Sequence, residues 1–342
     1  MSCRPHWIEA KWVVSALLVA LLLLCGVALA VGSASLRPSE VADALWNAVR
    51  ADAPSNPATR IVLDTRLPRI LLAILVGAGL AMGGLAAQTL FRNPLASPYI
   101  VGVSNGAALG AVAGILAAGA WLPFAAVPTL SVLAGLAVAG VVFLFARRGR
   151  HFGHSLLLAG IAISAFCSAV TAGTLYLAGE RLATLVFWLM GGLWQANWRD
   201  VGIMLPVTAG CFATLTFLAP AMNVALVGER SSRDLGVHVR RLQISLLGIL
   251  AITTAVAVSL TGVIGFIGLV VPHLLRLLMG ADHRGLLPAS ALGGAVLLLT
   301  ADTLARTVAA PAEIPVGILT ALVGAPIFLW LLQRRNAPRT TA

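Results

Sequence analysis

The chain has 342 residues, of which 59% are hydrophobic and 10% charged, with a formal net charge of +11. Soluble domains carry about 25% charged residues, so this composition excludes a pair of aqueous domains and leaves a chain consumed by membrane spans. The basic residues fall between apolar runs and not in a stripe interleaved with aromatics, which excludes a nucleic-acid-binding face. Cys3, Cys25, Cys167 and Cys211 show no Cys-x-x-Cys spacing, and three lie inside apolar runs, the pattern of small buried side chains.

In chain order, Arg4, His6 and Lys11 precede an uncharged run that predicts a first span over 12–31. Small residues come after it, as at a signal-peptide cleavage site, but the run exceeds the usual length of about 7–15 apolar residues, and we read it as a retained span. Residues 37–65 are expected to form a polar loop, with Pro38, Pro54 and Pro57, partly helical around 39–49. Between Arg69 and Arg92 lie 22 uncharged residues. At helical rise they cover roughly 30 Å, the hydrocarbon thickness of a bilayer, and give a second span over 68–91. The break Phe-Arg-Asn-Pro-Leu-Ala-Ser-Pro-Tyr at 91–99 contains two prolines and must turn.

The third span, 99–118, carries Gly102, Gly106, Gly110 and Gly114 on one face, where a neighbouring helix is expected to approach closely. Trp121 and Pro123 mark a turn before a fourth span at 124–146, and a basic loop at 147–154 precedes the fifth at 155–178. Glu180, Arg181, Trp188, Trp194, Trp198 and Arg199 form a polar, aromatic segment, either a membrane–water interface or part of a ligand path. The sixth span, 201–221, holds Pro206, an expected kink. The segment 227–241 is densely charged.

The stretch beyond Arg241 decides the topology. Arg241 and Arg276 enclose 34 uncharged residues, and Gly262, Gly265 and Gly268 offer a reversal giving spans at 242–262 and 264–280. With two spans there, one side of the membrane holds 15 arginines and lysines against 8; with one span the split is 11 against 12. The positive-inside rule selects two, hence ten spans with both termini cytoplasmic, the last two at 286–305 and 314–332. The fold class is an all-α polytopic membrane protein, one transmembrane domain over 1–342.

The only lysine is Lys11, outside any glycine-rich phosphate loop, so the chain has no ATPase motif of its own. No His-Glu-x-x-His motif is present. Asp64, Glu180, Asp200, Glu229, Asp234, Asp282 and Glu313 fall at predicted span ends. Asp302 alone is expected inside, with Arg306 one turn later as its partner. A secondary transporter places ionisable groups mid-membrane, so their scarcity favours drive supplied by partners. His273, after Pro272, is read as an interior histidine near Arg276, with iron ligation as the alternative.

Six ordered blocks carry a resemblance: RLPR at 66–69, FRNPLASP at 91–98, GVSNGA at 102–107, GFIGLVVPHLLRLL at 265–278, ADTLAR at 301–306 and EIPVGILTALVGAPIFLWLL at 313–332. They resemble the FecCD-type permeases of binding-protein-dependent (type II) ABC importers for haem, ferric siderophores or vitamin B12. The resemblance implies a homodimer in the bacterial inner membrane with a channel at its interface. It also implies two ATP-binding subunits, which hold the ATP and Mg2+, and a periplasmic substrate-binding protein; this chain binds no cofactor or metal and catalyses nothing. Arg66, Arg69 and Arg306 would dock acidic lobes of the binding protein through exposed guanidinium forks. Asn93 and Leu95 would narrow the cytoplasmic gate, and the 147–154 loop takes the place of a second one. Short coupling helices between spans 6 and 7 would sit in a cleft of the ATPase, with Gly228, Glu229, Ser231, Arg233, Asp234 and Gly236 as the coupling residues and Ser231 with Asp234 as a capping box. Haem suits the tryptophan-rich 188–198 segment and the uncharged spans; cobalamin is the alternative cargo, and an ion-coupled secondary transporter the alternative of another class.

Overall fold

The computed structural model describes residues 6–32, 36–50, 56–118, 122–123, 125–149 and 152–336. Within them the regular structure is helical: α1 (His6–Ala30), α2 (Pro38–Arg50), α3 (Pro57–Arg60), α4 (Leu67–Leu90), α5 (Val103–Ala117), α6 (Ala126–Ala146), α7 (Phe152–Tyr176), α8 (Leu182–Leu189), α9 (Trp198–Ala225), α10 (Glu229–Asp234), α11 (Val239–Thr261), α12 (Ile267–Met279), α13 (His283–Ala305) and α14 (Val316–Asn336). Seven helical stretches are long and apolar enough to cross a membrane, and Val103–Ala117, Ile267–Met279 and Val316–Trp330 are shorter apolar helices. Each of the ten expected spans overlaps one of these helices.

The fold is arranged around α4. All but four of its 24 residues are buried, and α13, α11, α9 and α12 pack directly on it. Its glycines explain how so many neighbours fit. A Cβ on Gly77 would strike the carbonyl of Gly294 in α13, one on Gly294 would strike that of Gly77, and one on Gly84 would strike Gly268 in α12. Backbone therefore lies against backbone, the packing that drives helix association in lipid. The expected glycine face of α5 is filled by α6: Gly106 and Gly110 lie against Val138, Ala134 and the Leu130 carbonyl.

The structure corrects three boundaries. Residues 57–66 are not an irregular loop but continue into α4 through a π-helical stretch at Ile61–Arg66. A start signal was present: Asn56 Oδ1 accepts from the Ala58 amide and Pro57 sits in the first turn. The polar aromatic segment contains a short helix, α8, whose end is knit to the rest by the Gly192 amide donating to the Thr261 carbonyl at 2.7 Å.

The reversal between α11 and α12 uses Gly262, in the left-handed region at φ 68°, but Gly268 lies inside α12 and serves packing. α12 has only 13 residues, about 20 Å of rise, short of a bilayer's hydrocarbon thickness. The non-helical backbone at 262–266 adds to that length. It is held by protein, with Tyr99 donating its hydroxyl to the Ile264 carbonyl, as non-helical backbone at membrane depth must be.

Candidate functional site

Three groups of polar side chains stand out, one at the start of α4 and two at its far end. At the start, Arg69 is held by two carboxylates. Its Nη2 lies 2.8 Å from Asp302 Oδ1 and its Nη1 3.0 Å from Glu313 Oε2. Arg306 Nε is 3.8 Å from Asp302 Oδ2. Asp302 is fully buried, so its charge is sustained only by these partners. Arg66 donates to the carbonyls of Leu29 and Ala30, and Arg306 to that of Ala28. Two cations thus cap the C-terminal turn of α1, where unsatisfied carbonyls and the helix dipole favour positive charge.

The three arginines expected as docking residues are therefore gathered in one place, but not as exposed forks. Arg66 and Arg306 are each 4% exposed and Arg69 8%. The expected Asp302–Arg306 pair is also secondary: Asp302 takes Arg69 from α4 at close range. Helical spacing pointed to the i+4 neighbour because sequence cannot show which distant arginine lies across the helix interface. Glu313, at the span end where the sequence puts it, is the second acid of the cluster. Gly32, Ile61 and Thr65 join Arg66, Arg69, Arg306 and Glu313 around a recess of about 70 Å³.

At the other end of α4 the Pro-containing break turns the chain as expected. Asn93 Oδ1 accepts from the Leu95 amide at 3.0 Å, an Asx turn, and Arg92 Nε donates to the Ala225 carbonyl at 3.1 Å. A cavity of about 400 Å³ opens here, and Asn93 lines it together with Gly153, His154 and Gln243. The break after α4 and the start of α7 thus share one cavity, while Leu95 is not among its lining residues. Residues 150–151 of the 147–154 loop lie outside the described residues.

Close by, Asn223 ties α9 to α13. Its Oδ1 accepts from the His283 amide at 2.9 Å and lies 2.7 Å from His283 Nδ1, and its Nδ2 donates to Asp282 at 2.7 Å. His283 Nε2 is 2.8 Å from Thr89 Oγ1 on α4. Burial would raise the Asp282 carboxyl, but the Arg284 amide, Asn223 and neighbouring positive charge hold it below the ordinary value.

The third group is the turn between α9 and α11. One short helix is present, α10, not two. Its N-cap is Gly228 with φ 126°, without a side-chain cap bond, so Ser231 and Asp234 do not act as the expected capping box. Instead the neighbouring Ser232, fully buried, donates to the Val224 carbonyl at 3.0 Å and fastens α10 to the end of α9. The box pattern names residue types, and the backbone entered the helix three residues earlier than that pattern implied. Arg233 and Gly236 line an open cleft of about 560 Å³ with residues 237–241. Among the described residues no group of three His, Cys, Asp or Glu side chains could hold a metal ion.

Comparison with known proteins adds the family. The chain is 44% identical over 338 residues to the hemin transport system permease protein HmuU of Yersinia pestis, covering 95% of this chain and 97% of that one. It is 46% identical over 280 residues to the cobalamin import system permease protein BtuC of Halobacterium salinarum, covering 81% and 74%. A solved inward-facing structure of a metal-chelate type ABC transporter superposes with a TM-score of 0.83 at 33% identity, covering 95% of this chain and 99% of that one. The match to the FecCD transport family runs over residues 17–334, and with the all-helical fold around α4 it establishes that this chain belongs to that family.

Proposed function

We propose that the chain is the membrane-spanning permease subunit of an ATP-driven importer carrying haem or a related iron chelate from the periplasm to the cytoplasm. The observation that carries this reading is the 44% identity to a hemin permease across nearly the whole of both chains. The ten apolar helices support a lipid-embedded conduit. The absence of a phosphate-binding lysine loop in the sequence supports drive from separate ATP-binding subunits. In this reading two copies enclose the channel in the bacterial inner membrane with all termini cytoplasmic, and a periplasmic binding protein delivers the cargo.

Orientation then assigns roles. The Asn93 end faces the cytoplasm, where the shared cavity of Asn93, Gly153 and His154 is the gate, with Leu95 bracing it through the Asx turn. Gly228, Glu229, Ser231, Arg233, Asp234 and Gly236 form the contact with the ATPase. The Arg69 end faces the periplasm. There Arg66, Arg69 and Arg306 outnumber Asp302 and Glu313 by three to two, a surplus of one positive charge around the recess. A carboxylate of the binding protein would be drawn towards that surplus.

The test is reconstitution of the chain with its ATPase and binding protein in liposomes, followed by ATP-dependent uptake of hemin, cobalamin and a ferric siderophore. Uptake of hemin alone is the expected result. Uptake of cobalamin alone would select the second reading, which the 46% identity to a cobalamin permease favours. Uptake that survives ATP depletion would remove the importer reading and favour an ion-coupled carrier.

A further inference from the structure

We propose that Arg240 is a positioning residue that carries movement of the coupling turn to the cytoplasmic gate, by stacking its guanidinium on Phe143 and Phe152. The inference rests on the gate and coupling roles proposed above and names the side chains that join them.

The geometry is specific. The Arg240 guanidinium carbon lies 4.3 Å from the centre of the Phe152 ring and 5.7 Å from that of Phe143. The two rings meet edge to face, 6.1 Å apart at 72°. Phe143 belongs to the last turn of α6. Phe152 is the first residue of α7 and is buried, and the next two residues, Gly153 and His154, line the gate cavity facing Asn93. Arg240 is the second residue of α11 and lines the coupling cleft with Arg233 and Gly236. One turn further along α11, Gln243 reaches the wall of the gate cavity. The first turn of α11 therefore has the coupling cleft on one side and the gate on the other, with Arg240 gripping the element that carries the gate residues.

The chemistry suits transmission. Among the described residues Arg240 makes no ion pair, so the two rings are its defined side-chain partners. Attraction to a ring quadrupole tolerates lateral sliding of the cation, whereas a directional hydrogen bond breaks on displacement. The contact can thus follow α11 through a rocking motion and still drag α7 with it. A planar guanidinium does this; the compact, strongly hydrated ammonium of lysine stacks less well.

The experiment uses the full complex in proteoliposomes with hemin as cargo, and reads hemin taken up per ATP hydrolysed. A second readout is disulfide cross-linking between Asn93→Cys and His154→Cys, with and without a trapped nucleotide, in a chain whose own four cysteines are replaced by serine. Arg240→Met removes the cation at an exposed position, Arg240→Lys keeps the charge without the fork, and Phe152→Leu removes the ring from the other side. Co-purification with the ATPase checks assembly of each. Both Arg240→Met and Phe152→Leu are expected to lower the uptake-to-hydrolysis ratio about fivefold or more. Both should also abolish the nucleotide-dependent change in cross-linking, with Arg240→Lys in between. Parental behaviour of Arg240→Met, or of Arg240→Lys together with Phe152→Leu, would overturn the proposal and leave Arg240 as a lipid-phosphate anchor. If the parent chain shows no nucleotide-dependent change in cross-linking, the gate assignment itself fails and this inference falls with it.

Discussion

Arg69 of α4 and Asp302 of α13 form a buried ion pair across 233 residues of sequence, Nη2 to Oδ1 at 2.8 Å, with Nε bonded to the same carboxylate at 3.0 Å. Glu313 completes the grip on Arg69, and Arg306 lies on the far side of Asp302. Removing Asp302 would leave buried Arg69 with Glu313 as its one carboxylate and buried Arg306 with none within 4 Å among the described residues.

Asp302→Ala is accordingly expected to cost about 3–5 kcal/mol, since an uncompensated buried charge is far worse than a missing pair. Thermal unfolding of the purified protein in detergent measures this. Replacing both Arg69 and Asp302 by leucine should cost less than the two single changes together. Simple addition of the two would mean that the pair is not coupled.

Glycine substitutions separate close packing from open surface. Gly77→Ala and Gly84→Ala place a methyl group against backbone carbonyls that cannot swing away, and each should destabilise by about 1–3 kcal/mol or more. Gly140 and Gly210 have nothing within 4 Å. Alanine there should be neutral or stabilise by up to about 1 kcal/mol through helix propensity. Melting temperatures of the four variants check the contrast, and equal losses at all four sites would refute the backbone contacts.

Asn223 joins α9 to α13 by three hydrogen bonds, and Asn223→Ala should cost about 1–3 kcal/mol by leaving the His283 amide unsatisfied. Asp282 adds a pH dependence. Its folded-state pKa is depressed, so its contribution is present above the ordinary carboxylate value and is lost as pH falls through the folded one. The difference in melting temperature between parent and Asp282→Asn should therefore shrink below about pH 4. A difference that grows on acidification would reverse the sign and contradict the assigned bonds.

In the turn around α10, if it has the coupling role proposed above, Arg233→Ala and Gly236→Ala should lower ATP-dependent uptake several-fold without loss of membrane insertion. Gly236 sits at φ 80°, where a Cβ adds strain of about 1–2 kcal/mol. Uptake and membrane abundance measured on the same preparations decide this; unchanged uptake in both would remove the turn from the coupling path.

Helix positions were legible wherever charge bounded an apolar run. Arg69, in the first turn of α4, and Arg92, just past its end, bound its uncharged run, and the count of basic residues picked out the split of 241–276 into α11 and α12. The glycine face of α5 was legible too, because four-residue spacing has one structural meaning in lipid. Partnerships were not. Nothing in the local sequence says that Arg69 meets Asp302, that Gly77 lies on Gly294, or that Arg240 lies on Phe152, since each joins distant segments whose register is set by packing. The capping-box reading failed for a related reason: Ser231 and Asp234 have the right identities, but Gly228 and the bond from Ser232 to Val224 decide where the backbone begins to coil.

The Arg306–Ala28 bond also bears on biogenesis. Its two ends are separated by 278 residues, so the first helix leaves the ribosome long before its latch has been synthesised. Most of α1 faces outward, and bilayer lipids can solvate it during that wait. α1 is thus latched in two stages, first by Arg66, made soon after it, and by Arg306 only when nearly all the other helices have been synthesised.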